Sequence, residues 1–144
     1  MGNRAVITTE ENFDNNGIGV YVHWNGGATS IKGFLTYCAI RGFRAPETDN
    51  YGWARLTQVI ANFFGMDGLS IGVDTLNHLD CDNGDNGTYL IKNWQVVGHK
   101  YGKPNRDKYD LMEMLKAIDE AQPDPLGEDG IKLGLLKIEQ NAPV

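Results

Sequence analysis

The sequence predicts an α+β domain, on three observations. β-Branched and aromatic residues cluster in two runs within the first 24 residues, apolar residues recur at helical spacing in three later segments, and between these the chain returns to short strand-like runs bounded by Asn and Gly. The predicted order is an N-terminal β-hairpin, two helices, an antiparallel strand group, a C-terminal helix and a docked tail. A length of 144 residues fits one domain of the common ~100–150-residue size, so residues 1–144 form a single unit. Gly occupies 18 of the 144 positions, well above the roughly 7% average, which predicts many tight turns.

Residues 3–9 and 18–24 read as the paired strands of the hairpin. The connection over residues 10–17 is polar, and Asn15, Asn16 and Gly17 tolerate positive φ, which predicts a turn. In the second strand Ile18, Val20, Val22 and Trp24 share one face, which leaves Gly19, Tyr21, His23 and Asn25 on a more polar one. Past Gly26 and Gly27 the period changes. Ile31, Phe34, Leu35, Cys38 and Ala39 form a helical stripe behind a Thr29 or Ser30 cap, and Gly42 stops the helix. A second helix starts near Asp49 or Asn50 and runs to Phe64, with Trp53, Leu56, Val59, Ile60 and Phe63 buried and Gly65 as its stop.

Residues 69–73 read as a short strand, residues 76–81 as a weaker one, and residues 88–91 and 95–101 as a hairpin turning at Lys92-Asn93-Trp94. A third helix spans residues 107–121, with Leu111, Met112, Leu115 and Ile118 on one side, and ends before Pro123 and Pro125. The tail over residues 130–144 retains Ile131, Leu133, Leu135, Leu136 and Ile138, too apolar for a free linker. It is expected to dock on the body or on a second subunit, which predicts a homo-oligomer.

A net charge of −6 argues against general nucleic-acid binding by phosphate neutralisation. Charge is also segregated. Lys92, Lys100, Lys103, Arg106 and Lys108 oppose only Asp107, whereas Asp110, Glu113, Asp119, Glu120, Asp124, Glu128 and Asp129 oppose only Lys116. No run approaches the ~18 apolar residues of a membrane span, and there is no apolar leader ahead of the first strand. With two cysteines 43 positions apart, the chain reads as cytosolic and reduced: Cys38 is a buried thiol on its helix, and Cys81 sits among carboxylates that disfavour its thiolate.

His23, Asn25, Gly26 and Gly27 join a strand end to a helix start, where backbone N–H groups and the helix dipole favour a small anion. The alternative is a turn whose glycines serve backbone geometry. Arg41, Arg44 and Arg55 lie within or beside the two-helix unit and offer planar, bidentate contacts to phosphate or carboxylate. These seven residues form the predicted ligand-binding set. Exposed rings among Tyr21, Trp24, Tyr51, Trp53, Tyr89, Trp94 and Tyr101 suit stacking on a planar ligand, although core packing for Trp24 and Trp53 and a scattered surface for the rest is the plainer reading. Residues 80–87 have the composition of a calcium loop, but the spacing fails and Asn93 stands where the closing Glu belongs. The two Asn-Gly pairs favour a hairpin turn instead. His23, His78 and His99 show no zinc spacing, the only serines are Ser30 and Ser70, and neither a dinucleotide motif nor a P-loop is present. No cofactor, metal or catalytic residue is predicted.

The segments Met1-Gly2-Asn3-Arg4-Ala5-Val6-Ile7-Thr8, Val20-Tyr21-Val22-His23-Trp24-Asn25-Gly26-Gly27, Tyr51-Gly52-Trp53-Ala54-Arg55 and Cys81-Asp82-Asn83-Gly84-Asp85-Asn86-Gly87 resemble a family of short phage and prophage accessory proteins over residues 1–101. The resemblance implies a genomic context and assigns no site residue. By analogy with small accessory phage proteins, the expected function is to counter bacterial antiviral defence by non-catalytic binding, in the host cytoplasm. The target is either a nucleotide second messenger or a defence effector such as a CRISPR nuclease. Alternatives are a small hydrolase using His23 with Asp or Asn partners, and a phage structural or assembly factor.

Overall fold

The computed structural model describes residues 2–65, 70–105 and 109–140. The chain forms an α+β fold in which one five-stranded sheet carries a helical layer. The strands are β1 (Ala5–Thr8), β2 (Ile18–Val22), β3 (Ile71–Thr75), β4 (Thr88–Lys92) and β5 (Gln95–Lys100), in spatial order β3-β2-β1-β4-β5. β1 and β2 pair antiparallel, Ala5 opposite Val22, as the predicted hairpin requires. β3 adds antiparallel to β2, and β4 and β5 form the second hairpin. A parallel pairing of β1 with β4, Val6 opposite Thr88, joins the two strand groups into one sheet.

The connection after β1 is a helix, not the expected turn. α1 (Glu10–Asn15) is capped by Thr9, whose Oγ1 accepts from Asn12 N at 3.1 Å, and it ends at Asn16 in the left-handed region with φ 54°. Two acidic residues in the first turn suit its dipole. The helix has six residues and buries none of them, so no apolar period marks it in the sequence. β2 also stops at Val22, and Trp24 is 47% exposed, which corrects its expected place in the core. The strand expected over residues 76–81 is a 3-10 turn at Leu76–His78 followed by loop. Leu69, the expected start of β3, lies outside the described residues.

α2 (Ala28–Ile40) crosses the helical face of the sheet and buries Ile31, Phe34, Leu35 and Cys38. Its cap is Gly27, two or three residues earlier than the expected Thr29 or Ser30, and Gly42 follows it with φ 75°. α3 (Tyr51–Phe64) runs as predicted to Gly65. α4 (Leu111–Glu120) is capped by Asp110, whose Oδ1 accepts from Glu113 N at 2.7 Å; the earlier start expected at Asp107 falls outside the described residues. The apolar tail is α5 (Gly127–Gln140), which buries Ile131 and closes on α2 where Gly134 meets Ile40. A Cβ at position 134 would stand 2.4 Å from Ile40 Cγ2.

The main core gathers Ile7, Val20, Val22, Tyr89 and Ile91 of the sheet with α2, α3, α4 and Ile131 of α5. On the opposite sheet face Val6 and Leu90 are buried, and the segment after β3 packs onto it: Gly19 has room for Leu76 only because it lacks a Cβ. The turn between β4 and β5 places Asn93 and Trp94 at φ 51° and 61°, the left-handed pair of a tight hairpin. Burial of the Trp94 ring, and its Nε1–H donating to Phe43 O at 2.7 Å, hold a residue type that rarely adopts this conformation.

Candidate functional site

The predicted ligand-binding residues fall into two groups at opposite ends of α2. Thirteen residues of helix separate them by about 20 Å at 1.5 Å per residue. At the start of α2, His23 Nδ1 lies 2.9 Å from the Tyr21 hydroxyl, and the His23 ring meets the Trp24 ring edge-on at 5.0 Å. Asn25 takes the left-handed region with φ 57°, and its Nδ2 donates to Ser30 Oγ at 3.3 Å. Gly26 is clamped from both sides: its N–H donates to Asn3 O at 2.8 Å and its carbonyl accepts from the Tyr89 hydroxyl at 2.7 Å. A Cβ there would stand 2.5 Å from Asn3 O. Ala28 N–H, in the first turn, donates to Asn105 O at 3.2 Å. These contacts make the turn a joint between β1, β4 and α2.

At the other end of α2, the three arginines serve three local tasks. Arg41 Nε and Nη2 donate to the Tyr37 hydroxyl at 2.9 and 2.7 Å, and Nη2 also reaches Asp124 O. The Tyr37 hydroxyl donates in turn to Asp119 Oδ1 at 2.6 Å, and Asp119 accepts from Leu126 N and Gly127 N at 2.8 and 2.9 Å. One carboxylate on α4 thereby caps the start of α5 and orients a tyrosine on α2. Burial works to raise the Asp119 pKa, but the Tyr37 hydroxyl, the two backbone N–H groups and Arg41 outweigh it and hold the carboxyl below its usual range. Burial and the bond to Asp119 push Tyr37 up to about 12. Arg44 pairs with Asp49 at 3.2 Å and lies over the Tyr51 ring, whereas Arg55 lies over Phe43 and donates to Gln58.

The Asn-Gly segment is an irregular loop, which corrects the expected hairpin turn. Gly84 and Gly87 take φ 77° and 68°, while Asn83 Oδ1 accepts from Asp85 N and Gly87 N, both at 3.0 Å. Arg4 clasps the loop, with Nε to Asp85 at 2.7 Å and Nη1 to Asp80 at 3.4 Å. The Arg4 side chain and backbone N–H together hold the Asp85 carboxyl below its usual range. Asn86 Nδ2 donates to Arg4 O, and Asn86 N–H does the same. Asn3 and Arg4, the turn at Gly26 and the loop over residues 80–87 thus meet in one hydrogen-bonded structural junction.

Among the described residues the nearest approach to a catalytic trio is Asp74, Thr75 and His78, with Asp74 and His78 exposed and Thr75 half-buried. Both the Thr75 hydroxyl, at 3.2 Å, and the Asp74 carboxylate, at 3.3 Å, lie against the same His78 nitrogen, Nδ1. A relay needs the two ring nitrogens to serve different partners, so this set cannot activate Thr75. Burial raises the pKa of both thiols, Cys38 and Cys81, which opposes nucleophilic chemistry at either.

A groove of about 1100 Å³ runs along α2, walled by α5 and by the β4–β5 hairpin. Its surface is largely apolar, with Leu35, Ala39, Val96, Leu135 and Ile138, and Lys32, Arg41 and Lys137 also line it. Of the predicted set only Arg41 belongs to it. A sequence signal for the groove existed: Lys32 is the one charged side chain in the thirteen residues of α2, and so apolar a helix must be covered on most sides. The groove is where that cover is incomplete.

No family model, curated protein or solved structure matches the chain. Among the described residues no helix is long and apolar enough to cross a membrane.

Proposed function

We propose that the chain is a phage accessory protein that acts in the host cytoplasm and counters bacterial antiviral defence by non-catalytic docking on a protein effector, such as a CRISPR nuclease, through the α2 groove. The groove itself carries the reading: it is an open, mainly apolar surface of about 1100 Å³, at the upper end of the roughly 300–1,000 Å³ range of small-molecule pockets. The resemblance of the segments quoted above to short phage proteins supports the biological setting. A nucleotide second messenger fits less well. Its stacking face is missing, because Tyr89 and Trp94, though they line the groove, are 2% and 5% exposed. The arginines expected to hold its phosphates do not serve it either, because Arg44 and Arg55 lie outside the groove and Arg41 is committed to Tyr37, which leaves Lys32 and Lys137 as point charges without a bidentate contact.

Self-association is part of the proposal. Leu126, just ahead of α5, and Leu133 and Leu136 on it leave apolar surface at 37, 54 and 54% exposure, which a second copy would cover. The deciding experiment is phage plating on a CRISPR-defended strain that expresses the chain. Recovery of plaques, lost in a folded Thr36→Trp variant that fills the groove, supports the reading. Unchanged defence with the wild-type chain refutes it, and binding heat from a cyclic-nucleotide panel would restore the nucleotide alternative.

A further inference from the structure

We infer that the segment received by the groove is an amphipathic α-helix with acidic flanks; this rests on the docking reading above and names the chemistry of its partner. The floor dictates the shape. Ala28, Lys32, Thr36 and Ala39 of α2 line the groove at spacings of four, four and three, one helical stripe roughly 16 Å long at 1.5 Å per residue. That is three turns, the reach of apolar anchors at i, i+4, i+7 and i+11 of a docked helix. Three of those floor side chains are small, so an incoming helix can approach α2 to the 8–10 Å typical of packed axes. Leu135 and Ile138 on one wall and Val96 on the other supply apolar contact along its sides.

A strand is the obvious rival occupant, because β5 is an edge of the sheet. Its ladder is broken, however. The register with β4 shifts between Leu90 and Ile91, where Gly98 and Val96 are the successive partners, and Val97 is left as the extra residue of a bulge. Such a bulge twists an edge away from further pairing.

Charge selects the flank. Lys32 and Lys137 line the groove and make no ion pair among the described residues, and Glu139 is the one carboxylate among the lining side chains. On a chain of net charge −6, a locally cationic groove attracts an acidic segment and the remaining surface repels it, which steers the segment to this site.

The test uses a capped helical peptide of about 14 residues with Leu at i, i+4, i+7 and i+11 and Glu on its flanks, together with its Lys-for-Glu counterpart. Affinity is read by fluorescence anisotropy and the footprint by amide shifts of the full chain. The acidic peptide should bind about ten-fold tighter, the scale of reversing two exposed ion pairs, and should shift Lys32, Thr36, Val96 and Ile138. Lys32→Glu combined with Lys137→Glu changes only exposed side chains and should invert the preference. Equal affinity for the two peptides, a footprint elsewhere, or no binding by either overturns the inference. Displacement of the acidic peptide by a cyclic nucleotide, or protein-concentration-dependent broadening of the same amides without peptide, overturns it in favour of a nucleotide or a second copy. Plating separates the two levels: if Thr36→Trp abolishes counter-defence while neither peptide is preferred, docking stands and the helical chemistry falls.

Discussion

Asp119→Asn keeps the shape of a buried side chain and removes its charge, so it isolates what the Tyr37–Asp119–Arg41 network contributes. Asp119 is 2% exposed and accepts from the Tyr37 hydroxyl, Leu126 N–H and Gly127 N–H. An amide offers one oxygen and one NH2, so one of these donors must face another donor, and Arg41, 3.8 Å away, loses its counter-charge. Tyr37 cannot turn to accept from the new NH2 without conflict, since its oxygen already accepts twice from Arg41. Breaking a buried charged pair costs about 3–5 kcal/mol; we take about 3 kcal/mol because Arg41 retains the Asp124 carbonyl. That is roughly a 150-fold change in the folding equilibrium at 1.36 kcal/mol per decade, and roughly 10 °C in Tm at this chain length. Denaturant unfolding followed by circular dichroism measures it, with a double-mutant cycle against Tyr37→Phe expected to show coupling above about 1 kcal/mol. The pH dependence supplies the sign. Because the folded pKa of Asp119 is depressed, its contribution is fully present above the unfolded value of about 3.9 and is lost as pH falls through the folded value. The variant should therefore have the flatter acid limb. A loss below about 1 kcal/mol with an unchanged acid limb would refute the assignment of α5 docking to this carboxylate.

Other expectations follow from the same geometry. Gly26→Ala should destabilise by about 1–3 kcal/mol through forced contact with Asn3 O, while His23→Ala, checked by the same unfolding curves, should cost well under half of that. Arg44→Ala and Arg55→Ala remove exposed contacts and should change stability by less than about 1 kcal/mol and leave counter-defence on plates intact. Leu133→Glu with Leu136→Glu should reduce the mass seen by light scattering to that of a monomer; a monomeric wild-type chain at micromolar concentration would remove the self-association proposal. Reversing Glu120 and Asp124 should leave affinity for an effector unchanged if the groove is the docking face, and a salt-dependent loss of on-rate in surface plasmon resonance would move the interface to the acidic α4–α5 surface.

Local sequence determined a good deal of this protein. Period and punctuation placed α2, α3 and the β4–β5 hairpin within a few residues, because Gly42, Gly65 and the Asn93-Trp94 turn act on their own neighbours. The apolar residues of the tail announced a docked element for the same reason: Ile131 and Leu135 are too costly to leave in water. The six residues of α1 escaped, since a helix that buries nothing leaves no period and only the Thr9 cap signals it. Long-range relations were decided by the tertiary structure alone. The parallel pairing of β1 with β4 joins residues more than eighty positions apart, and nothing in either strand specifies its neighbour. Charge gave the same lesson. Asp119 reads as one of seven carboxylates in an acidic run, yet it is buried beneath Tyr37 and caps α5, and Arg41, which reads as a free phosphate ligand, is its counter-charge. Composition counts such groups, but a side chain's role depends on which partners lie within about 3 Å, and that distance is set only when α2, α4 and α5 pack together.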